Sequence, residues 1–537
     1  GYTIVWGGWQ GDLVPGGGRL TLKAPVAHNS DGSAITGRVR MEYDPAEASN
    51  TQPLGARFSA GYEPVTLDNS ASVLTARVHQ ADPRVVIPNN QWAFADCARN
   101  PFPGEPNGRK ICLKNGFDAT HIYELIYEAK DPLVLGIGFA ATRDLVSFLR
   151  NSARADQNPL SGSIRSALLH GTSQSGRMAR GFLSLNFNQD EEGKMVFDGM
   201  NPHVSPARIA LNIRFGQPGR DSGLQHAEHD YPGADAPVTW LATPDPDTGA
   251  VHGLLDRCQA SKTCPKIIQT VSDTEYWQRG MSLATADVSG RRDLDLPDNV
   301  RIYHFTGSQH VGSAPGAEPS KGICQFLSNP NSYHYNLRAL LVALRDWVVD
   351  GKEPPPSNYP TVASRTLVAP DPASFGFPKI PGIEFTGLHN ARIVYDRGPL
   401  YNSIDLTGVV TEPPAAMREL APLVPKVDGD GNGVDGVRSV TLQAPLGTYL
   451  GWNYRAAGFG EGDLCDNTGG FIPFAATKAE RIESGDPRLS LEERYGTHDG
   501  YVAAVKKAGD VLVDQRLMLP EDVDGAVALA NASKVLQ

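Results

Sequence analysis

Residues 164–170 (IRSALLH) are followed at once by Gly171-Thr172-Ser173-Gln174-Ser175-Gly176-Arg177 and then by an apolar periodicity over residues 178–185. An apolar run this short fits a buried strand, the Gly/Ser cluster forces a tight turn, and the spacing after it is that of a helix. Upstream, residues 133–139 (LVLGIGF) read as another short strand leading into a helix with Leu145, Phe148 and Leu149 on one face. Downstream, residues 266–271 and 300–305 are further strands. Leu337, Leu340, Leu341, Leu344 and Trp347 then share one face of a helix that stops near Gly351. Strands and helices in this order predict an α/β fold, with a mostly parallel sheet covered on both faces.

The texture differs elsewhere. Residues 2–6 (YTIVW) are β-branched and aromatic and end in Gly7-Gly8-Trp9-Gln10-Gly11-Asp12, which reads as strand then turn. Between residues 20 and 130 short alternating segments such as GRVRMEY (37–43) and VLTARV (73–78) are separated by Pro, Asn, Asp and Gly, the pattern of an all-β insertion. Pro354-Pro355-Pro356 marks a boundary, and the rest of the chain is mixed, Pro-rich at first and helical at its end. The expected organisation is a core of residues 1–19 and 131–353, a β-rich insertion at 20–130, and a mixed C-terminal region at 354–537.

Composition narrows the function classes. Lys and Arg number 49 against 60 Asp and Glu, a net charge of −11, and no block of basic residues offsets it, which argues against nucleic acid as a partner. No stretch approaches the roughly 20 apolar residues that a membrane-spanning helix needs. The six cysteines include no C-x-x-C pair, so neither a zinc ribbon nor a thioredoxin-type site is expected. Cys97 with Cys112, and Cys258 with Cys264, would each close a short loop, which points to an oxidising, secreted or periplasmic setting.

Ser173 carries the strongest chemical signal. It lies between a strand and a helix, with Gly171 two residues before and the small Ser175 two after. A sharp turn of this kind needs small neighbours so that the serine Oγ projects above the sheet. Such a serine requires a base and an orienting acid from later strand ends. Residues 300–305 end at Thr306-Gly307-Ser308-Gln309-His310, which offers His310 as the base, and residues 266–271 end at Ser272-Asp273-Thr274-Glu275, which offers Glu275, or alternatively Asp273, as the acid. The backbone N–H of Gln174, the residue after the serine, is the expected oxyanion donor. For a second donor the candidates are residues 7–10 and 136–139. No metal and no cofactor are needed for such a set.

Weaker signals also stand in the chain. Asp428-Gly-Asp430-Gly-Asn432-Gly433 has the opening of a calcium loop, but Ser439 stands where a bidentate Glu is required, so a polar turn is expected. His226, His229 and Asp230 lack a further spaced ligand and are expected to be loop residues. Trp9, Trp92, Tyr276 and Trp277 are candidates for a substrate pocket and equally for ordinary core packing.

With these residues assembled, the chain resembles a large group of bacterial proteins, the alpha/beta hydrolase domain family. The matching stretches are GYTIVWGGWQGD (1–12), DPLVLGIGFAATRDLVSFLR (131–150), GTSQSGR (171–177), FDGMNPHVSPA (197–207), GTYLGWNYR (447–455) and DPRLSLEERYG (486–496). The resemblance implies an α/β-hydrolase fold with Ser173 as nucleophile and His310 as base; Glu275 matches less securely. It also implies that residues 1–11 follow the first helix of the core, so that upstream core strands and any signal peptide lie outside this chain. The activity implied is that of an exported esterase acting on a small-molecule or carbohydrate-linked ester, with no substrate identified; a narrower alternative is a carbohydrate-ester or glucuronoyl-type esterase, since such enzymes use a similar Gly-x-Ser-x-x-Gly elbow on this fold. Rival readings are a catalytically silent scaffold built on a hydrolase core and a metal-dependent hydrolase.

Overall fold

A computed structural model describes residues 2–537 apart from 15, 46, 56–59, 207–237, 246–248, 391, 403–406 and 421. Strand β1 (Thr36–Tyr43) sends Val39, Met41 and Tyr43 to one face and Arg40 and Glu42 to the other, the period-two alternation of a sheet covered on both sides. It is followed by β2 (Ser49–Pro53), β3 (Val73–Arg77), β4 (Val85–Ile87), β5 (Trp92–Ala93), β6 (Lys110–Phe117) and β7 (Ile122–Lys130). These strands form two antiparallel sheets, β1-β7-β3-β4 and β2-β6-β5. Val39, Met41, Leu125 and Tyr127 from the first pack on Trp92, Ile111 and Phe117 from the second, so this segment has a core of its own. The other face of β1 is a buried layer of charge: Arg40 pairs with Glu124 and Glu412, and Arg77 with Glu42.

The chain then enters α1 (Ile137–Asn151). The expected strand at 133–139 is therefore corrected: its second half is the first turn of α1, and Leu133 makes a single bridge to Val26. A short apolar run does not distinguish a strand from a buried helix start. Within that first turn Gly138 lets the backbone of Trp9 approach closely, since a Cβ there would lie 1.9 Å from the Trp9 carbonyl oxygen.

The remaining core elements are β8 (Leu168–Thr172), α2 (Gln174–Ser184), β9 (Gly199–His203), β10 (Lys266–Ser272), α3 (Asp273–Arg279), β11 (Val300–Phe305) and α4 (His334–Asp350). The strands pair in the order β8-β9-β10-β11, every pair parallel. Successive residues of β10 serve opposite layers. Ile267 packs with Met178, Phe182 and Leu183 of α2, whereas Ile268 packs with Leu340 and Leu344 of α4. Each fully buried Leu or Ile contributes about 1.5–3 kcal/mol by leaving water. Beyond α4 lie α5 (His498–Asp514) and α6 (Pro520–Ala532), whose Val505, Leu512, Val523 and Ala526 extend the same apolar layer. The C-terminal region thus completes one face of the sheet.

Residues 2–6, expected to be a strand, make no ladder among the described residues and leave Ile4 and Trp6 71% and 82% exposed. A β-branched run supplies propensity, but only hydrogen-bonded pairing makes a strand. The cysteines form three disulfides: Cys97–Cys112, Cys258–Cys264 and Cys324–Cys465, the last spanning 141 residues and tying residues after β11 to the C-terminal region. No helix among the described residues is long and apolar enough to cross a membrane.

Candidate active site

Ser173 sits between β8 and α2 with φ 56° and ψ −114°, a conformation that side chains other than glycine rarely adopt. The neighbouring glycines explain how the turn is tolerated. A Cβ on Gly171 would lie 2.2 Å from the Ser175 carbonyl oxygen, and one on Gly176 would lie 2.7 Å from that of His203. The Ser173 N–H donates to His203 O across the sheet at 2.9 Å, so the strained residue is fixed from β9. Val204, just past β9, also has positive φ, 42°, and turns the chain away beside the serine.

The Ser173 Oγ lies 2.7 Å from His310 Nε2, and His310 Nδ1 lies 2.5 Å from Glu275 Oε1. Glu275 is wholly buried, and its Oε2 accepts from the Ser272 N–H and Oγ at 2.8 and 2.5 Å. Ser272 and Glu275 have capping-box spacing at the start of α3, so the device that begins the helix also orients the carboxylate. Its two oxygens face different partners, and the His310 ring must donate from Nδ1 to reach it. That leaves Nε2 as an acceptor aimed at the serine hydroxyl.

Asp273, the alternative acid, is engaged elsewhere. One oxygen pairs with His304 Nε2 and the other accepts from the Gly307 N–H at 2.9 Å. It holds the start of the loop that carries His310. Asn331 Nδ2 donates to the carbonyls of Thr306 and Gly307, and Asn329 Nδ2 to that of Gly307. Sequence reasoning passed over Ser272, although its S-x-x-E spacing to Glu275 is legible, and over these asparagines, for which no local signal exists.

Gln174 is the first residue of α2, so its N–H has no acceptor within the helix. Of the two segments considered for a second donor, residues 7–10 reach the elbow: the Trp9 indole N–H donates to Ser175 Oγ at 3.1 Å. Gly136–Phe139 instead enters α1, with Gly138 against the Trp9 carbonyl. The other aromatics flagged from sequence are core residues. Trp92 packs inside the insertion, Trp277 meets Phe375 and Trp452, and Tyr276 lies against His304.

The Asp428–Gly433 loop is a turn whose side chains are taken up by protein partners, within the loop and beside it. Asp428 accepts from the N–H groups of Asp430 and Asn432, Asp430 pairs with Arg494, and the Asn432 side chain bonds the backbone of Gly447 and Tyr449. His226, His229 and Asp230 lie outside the described residues. Among the described residues no group of three or more His, Cys, Asp or Glu side chains is arranged to hold a metal ion.

Comparison with known proteins identifies the chain at the level of family. No curated protein and no solved structure matches the chain. The profile of the alpha/beta hydrolase domain, however, matches residues 57–528, a stretch that contains the strained serine, both acid–histidine pairs and the helices behind the sheet. The chain therefore belongs to the alpha/beta hydrolase domain family.

Proposed function

We propose that the protein is a serine hydrolase that cleaves carboxylic esters through an acyl-enzyme on Ser173. The observation that carries this reading is the continuous contact from Ser173 Oγ to His310 Nε2 and from His310 Nδ1 to the buried Glu275. Attack of Oγ on the ester carbonyl passes its proton to His310 Nε2, and Glu275 stabilises the imidazolium without taking the proton. Oxygen charge on the tetrahedral intermediate falls toward the Gln174 N–H at the positive end of α2. The imidazolium then protonates the departing alkoxide. Water, deprotonated by the same histidine, attacks the acyl-enzyme; the bond to Ser173 Oγ breaks as His310 returns the proton to that oxygen, and the acid is released.

The three disulfides support an exported protein, since such bonds persist in oxidising compartments. The test is to react the folded protein with a fluorophosphonate and locate the adduct by peptide mass spectrometry, with Ser173→Ala as control. Labelling at Ser173 that disappears in the variant, together with turnover of aryl or sugar esters, is the expected result. A folded protein that neither labels nor turns over esters overturns the reading.

A further inference from the structure

Behind the proposed triad a line of side-chain hydrogen bonds runs across three of the four strands of the parallel sheet, β8, β9 and β10. It begins on β8, where the Thr172 hydroxyl, one residue before the nucleophile, lies 3.2 Å from His170 Nε2. His170 Nδ1 is 2.8 Å from Asn201 Oδ1 on β9, and the Asn201 amide lies 3.2 Å from Thr270 Oγ1 on β10. Thr270 Oγ1 is 2.9 Å from His203 Nδ1, and His203 Nε2 is 3.2 Å from the Tyr333 hydroxyl at the start of α4. The Tyr333 oxygen is 2.9 Å from the carbonyl oxygen of His310 and accepts the Gly312 N–H at 2.7 Å. The line ends on the backbone of the base.

The proton positions are determined. Asn201 Nδ2 also donates to the Ile268 carbonyl at 2.6 Å, so its Oδ1 is the atom facing His170, which must donate from Nδ1 and accept at Nε2. At the other end, the His310 carbonyl can only accept, so the tyrosine proton points at it. The opposite choice, with that proton on the side of His203, would set two oxygen lone pairs against each other at 2.9 Å. His203 must then donate from Nε2 and accept at Nδ1 from Thr270. Every bond runs in one direction, from the nucleophile strand to the base.

We infer that Tyr333 is a positioning residue for His310, held in its working orientation by the polarised line Thr270–His203–Tyr333, and that this line sets the Ser173–His310 distance. The inference rests on the triad reading above. Tyr333 grips His310 and Gly312, on the two sides of Val311, and its ring is stacked on Phe305 of β11 with centroids 4.8 Å apart. Gly312 leaves room for nothing else, since a Cβ there would lie 2.7 Å from the tyrosine ring. The same His203 gives its carbonyl to the Ser173 N–H, so one residue touches both the nucleophile turn and the clamp on the base. Burial, with smaller contributions from His170, His310 and His334, pushes His203 well below the ordinary histidine range, which keeps its Nδ1 free to accept. Burial likewise raises Tyr333, so its hydroxyl stays a donor.

The test compares wild type, Tyr333→Phe and Thr270→Val in turnover of 4-nitrophenyl acetate and in the rate of fluorophosphonate labelling. Phenylalanine keeps the stack on Phe305 and removes only the hydroxyl; valine keeps the shape of Thr270 and removes the donor to His203. Loosening the His310 loop moves Nε2 out of line with the Ser173 hydroxyl, so the chemical step and the labelling of Ser173 slow together while substrate binding is unchanged. For Tyr333→Phe, kcat falls by about 10- to 100-fold with KM within twofold, and Thr270→Val loses about three- to tenfold. A purely structural role would lower the melting temperature of either variant while the folded protein kept the wild-type kcat and labelling rate, and that result overturns the inference. Should Tyr333→Phe fail to fold, Thr270→Val alone decides. Absence of Ser173 labelling in wild type would refute the triad reading itself, and the positioning role with it.

Discussion

Two acid–histidine pairs stand side by side at the ends of β10 and β11, and exchanging each carboxylate for its amide distinguishes them. In Glu275→Gln the side chain has one acceptor oxygen where the carboxylate had two. The Ser272 N–H and Oγ, at 2.8 and 2.5 Å, claim that oxygen, so the new NH2 faces His310 Nδ1. Nδ1 must then give up its proton, Nε2 takes it, and the ring presents a donor to the Ser173 hydroxyl where an acceptor is needed. The corresponding change in a Ser-His-Asp triad costs about 10⁴ in kcat, or about 5.4 kcal/mol at 1.36 kcal/mol per tenfold. Asp273→Asn behaves differently. An asparagine keeps an acceptor for the Gly307 N–H and turns its NH2 to His304 Nε2, which accepts in the other tautomer. The expected cost is about 1–3 kcal/mol of stability with kcat within tenfold. Initial rates on 4-nitrophenyl acetate, read beside thermal melts of both variants, measure the contrast. If folded Asp273→Asn loses as much kcat as Glu275→Gln, or if Glu275→Gln stays within tenfold of wild type, the division of roles is refuted.

Other consequences are equally open to measurement. Gly171→Ala places a methyl 2.2 Å from the Ser175 carbonyl, a backbone atom that cannot swing away, so the variant should lose roughly 3 kcal/mol or more in a denaturant melt; a wild-type melt would contradict the tight turn. By loop-closure entropy, removing Cys324–Cys465 should cost roughly 5 kcal/mol against roughly 2 for Cys258–Cys264, given separations of 141 and 6 residues, and a reversed order of melting temperatures would show that the longer bridge constrains little. His203 is depressed in the fold, so the unfolded chain binds its proton first. Its contribution is absent above about pH 6.5 and costs stability as pH falls below that value, by about 1.4 kcal/mol per pH unit until the folded histidine also titrates. Urea midpoints at pH 5.5 and 7.5 should therefore diverge more for wild type than for His203→Gln.

The parts of the fold that are legible in the sequence obey local rules. The turn at Ser173 announces itself because only small residues fit around it, and the helix from His334 to Asp350 because its apolar spacing is sustained and Gly351 stops it with φ 68°. The choice between Glu275 and Asp273 is not legible in the same way. Both follow β10 in the first turn of α3, and two residues on a helix differ by about 200° in direction, so only the packing of that turn decides which one faces the loop of His310. The third disulfide is hidden for a related reason: nothing near Cys324 refers to Cys465, and the pairing is a product of the tertiary fold. Residues 133–139 mislead because a run that short carries no period. The links from Asn329, Asn331 and Tyr333 to the His310 loop are contacts at distance, for which one sequence has no signature.

Every native sulfhydryl is taken up in a disulfide, so the folded protein offers no thiol to an alkylating reagent. A single cysteine introduced on the surface would be chemically unique. Val311, 61% exposed and next to His310, is the natural place for it. A fluorophore or spin label attached there would report on the surroundings of His310 without competing background, in the otherwise unmodified chain.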